Sequence, residues 1–155
     1  MPSVLRDVRA ALASIYGTAV PSGVQVFEGP RNRSATPKKY LLVGVNGIDE
    51  LEAGMRSAQV PSSLSGDGWR EEAGEVDCTA VAWTGSEDMT QIRAHVEAIV
   101  DACETAVNVD RTLGGVLRLT GFAQVSGIDI REQRTDKGPY VEAVFTTSYS
   151  TILTF

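Results

Sequence analysis

The chain has 155 residues, 43% of them hydrophobic and 22% charged, with a formal net charge of −6. That length supports one domain with a sizeable core, and no apolar run approaches a membrane span. The acidic excess argues against a protein that wraps nucleic acid through basic charge.

The N-terminus, Met1-Pro2-Ser3-Val4-Leu5-Arg6-Asp7, lacks the apolar core of a signal peptide, so cytoplasmic expression is expected. Val4, Leu5, Val8, Leu12 and Ile15 predict a first helix, capped by Ser3 and ended at Tyr16-Gly17. Val20-Pro21-Ser22-Gly23 reads as a turn and Val24 to Phe27 as a short strand. Residues 28–39 form a loop punctuated by Gly29-Pro30 and Pro37. It holds Arg31, Arg33, Lys38 and Lys39, which suit either a patch for phosphate or an acidic partner, or a solvated loop. Tyr40 to Val45 is continuously apolar and predicts a buried strand.

Residues 49–74 then read as one long irregular segment, broken by Pro61-Ser62-Ser63 and Ser65-Gly66-Asp67-Gly68 and carrying Leu64 and Trp69. A loop of this length in a compact domain implies a use. Two readings stand: an arm that orders against a neighbouring subunit, and a flap folded on its own domain.

Glu75 to Thr120 is the organising stretch. Residues 75–83 alternate as a strand, and Thr84-Gly85-Ser86-Glu87 resembles a capping box. Met89, Ile92, Val96, Ile99, Val100, Cys103 and Val107 then form the apolar stripe of a helix over residues 86–107. Burying that stripe contributes at most about 10–20 kcal/mol. Ala94, Ala98, Ala102 and Ala106 form a ridge against which the first helix is expected to pack. Glu97, Asp101 and Glu104 mark a solvated or partner-facing side. Leu113-Gly114-Gly115 should release the chain into a strand at 116–120, prolonged to Val125 and broken by Ser126-Gly127. Residues 128–132 alternate and should pair as a hairpin with a long strand over 140–149. The fold expected is α+β: a mostly antiparallel β-sheet packed by two α-helices, with one long irregular loop, in a single domain.

The search for chemistry finds little. His95 lies at the border of the apolar stripe and reads as a structural histidine. There is no HExxH, GxSxG, Walker loop or strand-following GxGxxG. Cys78 and Cys103 occupy apolar positions without CxxC spacing and read as core residues. No catalytic residue, cofactor or metal site is expected.

The order of elements resembles a known family. A strand ending Ala82-Trp83-Thr84-Gly85, the helix beginning Ser86-Glu87-Asp88, the turn Thr112-Leu113-Gly114-Gly115 and a strand with Leu117 and Leu119 look like the tail terminator proteins of long, flexible-tailed bacteriophages. The likeness runs from about Glu75 to Tyr149. It implies a virion protein of the tail and neck, made in the bacterial host cytoplasm. Such proteins form a ring, usually a hexamer, on the head-proximal end of the tail tube. The ring stops addition of tail tube protein and joins head-completion proteins, while DNA passes through it without specific binding. On that reading the candidate subunit interface comprises Leu64, Trp69, Arg31, Arg33, Lys38 and Lys39. Glu97, Asp101 and Glu104 are candidate channel or interface acids, in a lumen that repels phosphate. The alternatives are another neck, head-completion or tail-tube-like subunit, or a small-molecule-binding or hydrolytic α+β domain.

Overall fold

A computed structural model of the chain describes residues 3–29, 37–46, 54–61, 69–84, 88–118, 121–135 and 138–154, without the side chains of Pro61, Trp69 and Thr154. The elements run α1 (Leu5–Ala19), β1 (Gln25–Glu28), β2 (Lys39–Val43), β3 (Met55–Pro61), β4 (Trp69–Trp83), α2 (Met89–Val109), β5 (Phe122–Thr135) and β6 (Gly138–Thr154). Six strands make one sheet in the order β1-β2-β4-β6-β5, with β3 paired to β4 off that path. Among the described residues only β1 and β2 are parallel; every other pairing is antiparallel. The fold is therefore α+β, with helices packed on a mostly antiparallel sheet.

The core lies between the helices and one sheet face. Val8, Leu12 and Tyr16 of α1 and Ile92, Val96, Ile99, Val100, Cys103 and Val107 of α2 are buried there. They meet the alternate positions Val76, Cys78, Ala80 and Ala82 of β4 and Val141, Ala143, Phe145 and Tyr149 of β6. The 3.6 period of the helices and the 2.0 period of the strands are thus read by one core. Tyr16 reaches across it, its hydroxyl 2.7 Å from Thr147 Oγ1 and its ring tilted against Phe145. Burial raises the Tyr16 phenol well above its usual range and the Cys78 thiol to about 12. Both cysteines are free and buried, as expected for core residues. The opposite face carries a second apolar cluster of Tyr40, Leu42, Val45 and Val81.

Several expectations are corrected. Residues 49–74 are not one irregular loop, because 55–61 and 69–74 belong to β3 and β4 and pair with each other from Met55↔Val76 to Pro61↔Arg70. β4 also pairs along its whole length with β6. Two ladders outweigh the weak strand propensity of Arg70-Glu71-Glu72-Ala73-Gly74. α1 runs through Gly17 to Ala19 and stops where Val20, extended at ψ 152°, precedes Pro21. α2 begins at Met89, where Asp88 caps it by accepting from the Gln91 N–H at 2.9 Å; Gly85, Ser86 and Glu87 of the expected capping box lie outside the described residues. Ala94 and Ala98 are exposed and Ala102 and Ala106 half-buried, so α1 does not seat on the alanine ridge as a whole.

After α2, residues 111–116 form a turn, as Leu113-Gly114-Gly115 announced, but it takes in Val116, and Leu117 and Arg118 are not strand; residues 119 and 120 lie outside the described residues, and β5 starts at Phe122. Leu113, Gly114 and Gly115 are three consecutive left-handed residues (φ 53°, 68° and 87°). Asp110 holds that turn, its carboxylate accepting from the Thr112 hydroxyl and the N–H groups of Thr112 and Gly114. Those donors, the Thr112 hydroxyl first, hold the Asp110 carboxyl below its usual range. Gly127 does not break the strand. At φ 69° it forms a bulge between Ser126 and Ile128, and β5 continues to Thr135 in a hairpin with β6.

Candidate functional site

Two buried acids on β4 organise the interior polar groups. Glu72 is wholly buried at the start of α1. It accepts from the Ser3 hydroxyl, from the Val4 N–H at 3.1 Å and from the Tyr149 hydroxyl at 2.9 Å. Ser3 in turn accepts from the Leu5 N–H at 3.0 Å. The helix therefore starts on a carboxylate supplied from β4; its N-cap is Val4 rather than the expected Ser3, which relays that carboxylate to the Leu5 N–H. Negative charge at a helix N-terminus is favourable. Burial, then the bond to Glu72, raises the Tyr149 phenol above its usual range.

Asp77 sits where β3 and β2 meet on one edge of β4: β3 pairs residues 70–76 and β2 residues 78–82. Its carboxylate accepts from Asn46 Nδ2 at 3.0 Å, Arg56 Nη1 at 3.1 Å and Thr146 Oγ1 at 2.9 Å. Its backbone closes the junction, the carbonyl receiving the Gly44 and Val45 N–H groups and the N–H bonding to Gly54 O. Arg56 also pairs with Glu75 and is itself mostly in solvent. Glu72 and Asp77 are thus held by three side-chain or backbone donors each, and their chemistry is to fix α1 and the β2–β3 junction.

Among the described residues, those singled out from sequence are not gathered into one place. Lys38 is exposed and Lys39 half-buried beside Trp83, whose N–H bonds to Lys38 O and whose indole N–H donates to Pro37 O. Trp69 is the first residue of β4, with Thr154 as its partner. Arg31, Arg33 and Leu64 lie outside the described residues. Glu97, Asp101 and Glu104 are exposed along α2, and among the described residues no ion pair joins them to Lys38 or Lys39. His95 is half-buried on the same helix.

Two open grooves flank the sheet end. One, of about 740 Å³, lies between α1, the Gly114-Gly115 turn and the last residues of β6. The other, of about 350 Å³, has the exposed Val60 and Phe122 on its wall. Neither is lined by His95 or by the α2 acids. Among the described residues, no group of three or more His, Cys, Asp or Glu side chains is arranged to hold a metal, and no helix is long and apolar enough to cross a membrane.

Sequence reasoning missed a third feature. β5 is the last strand on its side of the sheet, and residues 127–135 are exposed without exception. Ile128 and Ile130 are 51% and 42% exposed. Beside them, Arg93 of α2 grips Glu132 through both guanidinium and carboxylate forks and holds that carboxyl below its usual range. The alternation over 128–132 announced a strand; only the sheet order identifies it as a bare edge. The chain matches no known protein-family model and no curated protein.

Proposed function

We propose that this chain is a structural ring subunit that caps the head-proximal end of a bacteriophage tail tube, acting by assembly rather than catalysis. The supporting observation is the pair of unlike sheet flanks. The sheet ends in β1 on one side and in the long exposed β5 on the other. A closed ring needs two different surfaces on each subunit, one meeting the other head to tail. The element order around Ala82-Trp83-Thr84 and α2 is the one that resembles tail terminators, and the exposed acids Glu97, Asp101 and Glu104 suit a channel that DNA traverses without sticking. The contacts assigned to an arm over 49–74 belong instead to these flanks, since 55–61 and 69–74 are already paired within the subunit.

Native mass spectrometry of the purified chain, followed by reconstruction of assembled particles, tests the reading. The expected result is a six-membered species, and six-fold density for this chain between tail tube and head. Location elsewhere in the particle, or a channel lined mainly by Arg and Lys, overturns it.

A further inference from the structure

We propose that two copies of this chain pair through the outer edge of β5, antiparallel and centred on Ile130. The inference goes beyond the ring, resting on β5 alone.

A bare edge strand is a template for pairing, and charges along it restrict which strands it accepts. The Gly127 bulge ends the regular edge on one side, leaving 128–135. Among the described residues, no backbone group of 124–134 bonds to backbone outside the β5–β6 ladder. Asp129 and Arg131 share a face, Arg131 Nη2 standing 3.3 Å from Asp129 Oδ2, while Ile128, Ile130 and Glu132 share the other, the face toward α2.

In an antiparallel pair of identical strands, opposed residues share a face, so the two-fold axis passes through a residue. Centred on Asp129, Arg131 or Glu132, the pair sets a charge against its own copy. Centred on Gln133, it matches Glu132 with Arg134 but leaves both isoleucines beyond the paired stretch. Centred on Ile130, it places each Asp129 opposite the other copy's Arg131, twice, on one face. On the other face it places Ile130 against Ile130 and Ile128 against Glu132, whose charge Arg93 already neutralises. That register alone satisfies the charges and covers the exposed apolar side chains together. Such a pair also occupies one flank that the proposed ring would use, so dimer and ring draw on the same free subunits.

Analytical ultracentrifugation of the full chain tests this. The wild type is expected to form a concentration-dependent dimer. Asp129→Arg leaves only cations at the two positions and Arg131→Asp only anions, so each variant alone should dissociate at least about tenfold more readily. An equal mixture of the two should dimerise again, as should the doubly swapped chain with both substitutions. Both side chains are more than half exposed, and matching thermal midpoints would verify that folding is intact. A monomeric wild type, single variants that dimerise unchanged, or a mixture that stays monomeric overturns the proposal. A six-membered ring in a wild type that shows no dimer upholds the ring and overturns this pairing; a dimer that obeys the charge rules without any ring does the opposite.

Discussion

Replacing Gly74 with alanine tests the packing around Glu72 most sharply. Gly74 is an ordinary extended residue of β4, opposite Tyr149 of β6. A Cβ there would lie 2.5 Å from both Cε1 and the hydroxyl oxygen of Tyr149, and 2.6 Å from Cζ. The ring has little room to yield, because its hydroxyl is tied to Glu72 and its side chain is in the core. Overpacking of this kind costs about 1–3 kcal/mol, and loss of a hydrogen bond to a charged group about 1.5–3 kcal/mol more. Against this, alanine is favoured over glycine within a strand by roughly 0.5–1 kcal/mol. The net is a destabilisation of about 2–5 kcal/mol, which for a chain of this size lowers the thermal midpoint by roughly 4–20 °C. Denaturant unfolding of Gly74→Ala, Tyr149→Ala and the double variant measures it. The cost of Gly74→Ala should largely vanish once the Tyr149 ring is gone, a coupling of more than about 1 kcal/mol. A neutral Gly74→Ala, or costs that simply add, would refute the reasoning.

Three further outcomes are expected. Asp77→Ala strips the acceptor from Asn46 and Thr146 and should cost about 2–3 kcal/mol in urea unfolding, the exposed Arg56 adding little; Asp77→Asn should fall between it and the wild type. Asp88→Ala should lower stability by about 1 kcal/mol, followed by thermal circular dichroism, and Asp88→Asn should be nearly silent. Stability should also decline in alkali. The Cys78 thiol rises from 9.0 to about 12 on folding because burial penalises the thiolate, so its contribution is full below pH 9 and is lost as pH climbs toward about 12. The slope is about 1.4 kcal/mol per pH unit for this one group, steepened by Cys103, Tyr16 and Tyr149, which burial raises as well. Guanidinium midpoints that stay flat across that range would contradict it.

The sequence was most legible where one period persisted over many turns. The α2 stripe from Ile92 to Val107 and the β5–β6 hairpin appear where the spacing puts them. It was least legible where long-range partners overrule local preference. Glu72 and Gly74 fall in phase with Val76, Cys78 and Ala80 on the helix-facing side of β4, yet an acid and a glycine look like loop until Ser3, Val4 and Tyr149 are brought to them. Gly17 and Gly127 carry breaker signals that helix continuation and a bulge absorb. Over the described residues 116–118 the expected strand yields to the Asp110-held turn, whose left-handed Leu113 has no sequence signature of its own. Among site candidates, the exposure of Glu97, Asp101 and Glu104 followed from the helix period. The β5 edge did not, because alternation suggests one covered face, and at Ile128 and Ile130 α2 covers too little of it.

The placement of β6 has a kinetic consequence. Its seventeen residues lie between β4 and β5, so they supply an inner strand although they are the last of the described strands to be synthesised. The register from Trp69↔Thr154 to Trp83↔Tyr140 joins positions 57 to 85 residues apart. Until residues 138–154 leave the ribosome, β4 keeps one edge open and β5 has no ladder at all. α2, already made, has only a partial sheet on which to settle. Such non-local pairing slows folding and prolongs exposure of apolar strand surface. The nascent chain therefore waits, with Val76 to Ala82 still unpaired on that edge, for its final strand to close the sheet in one late step.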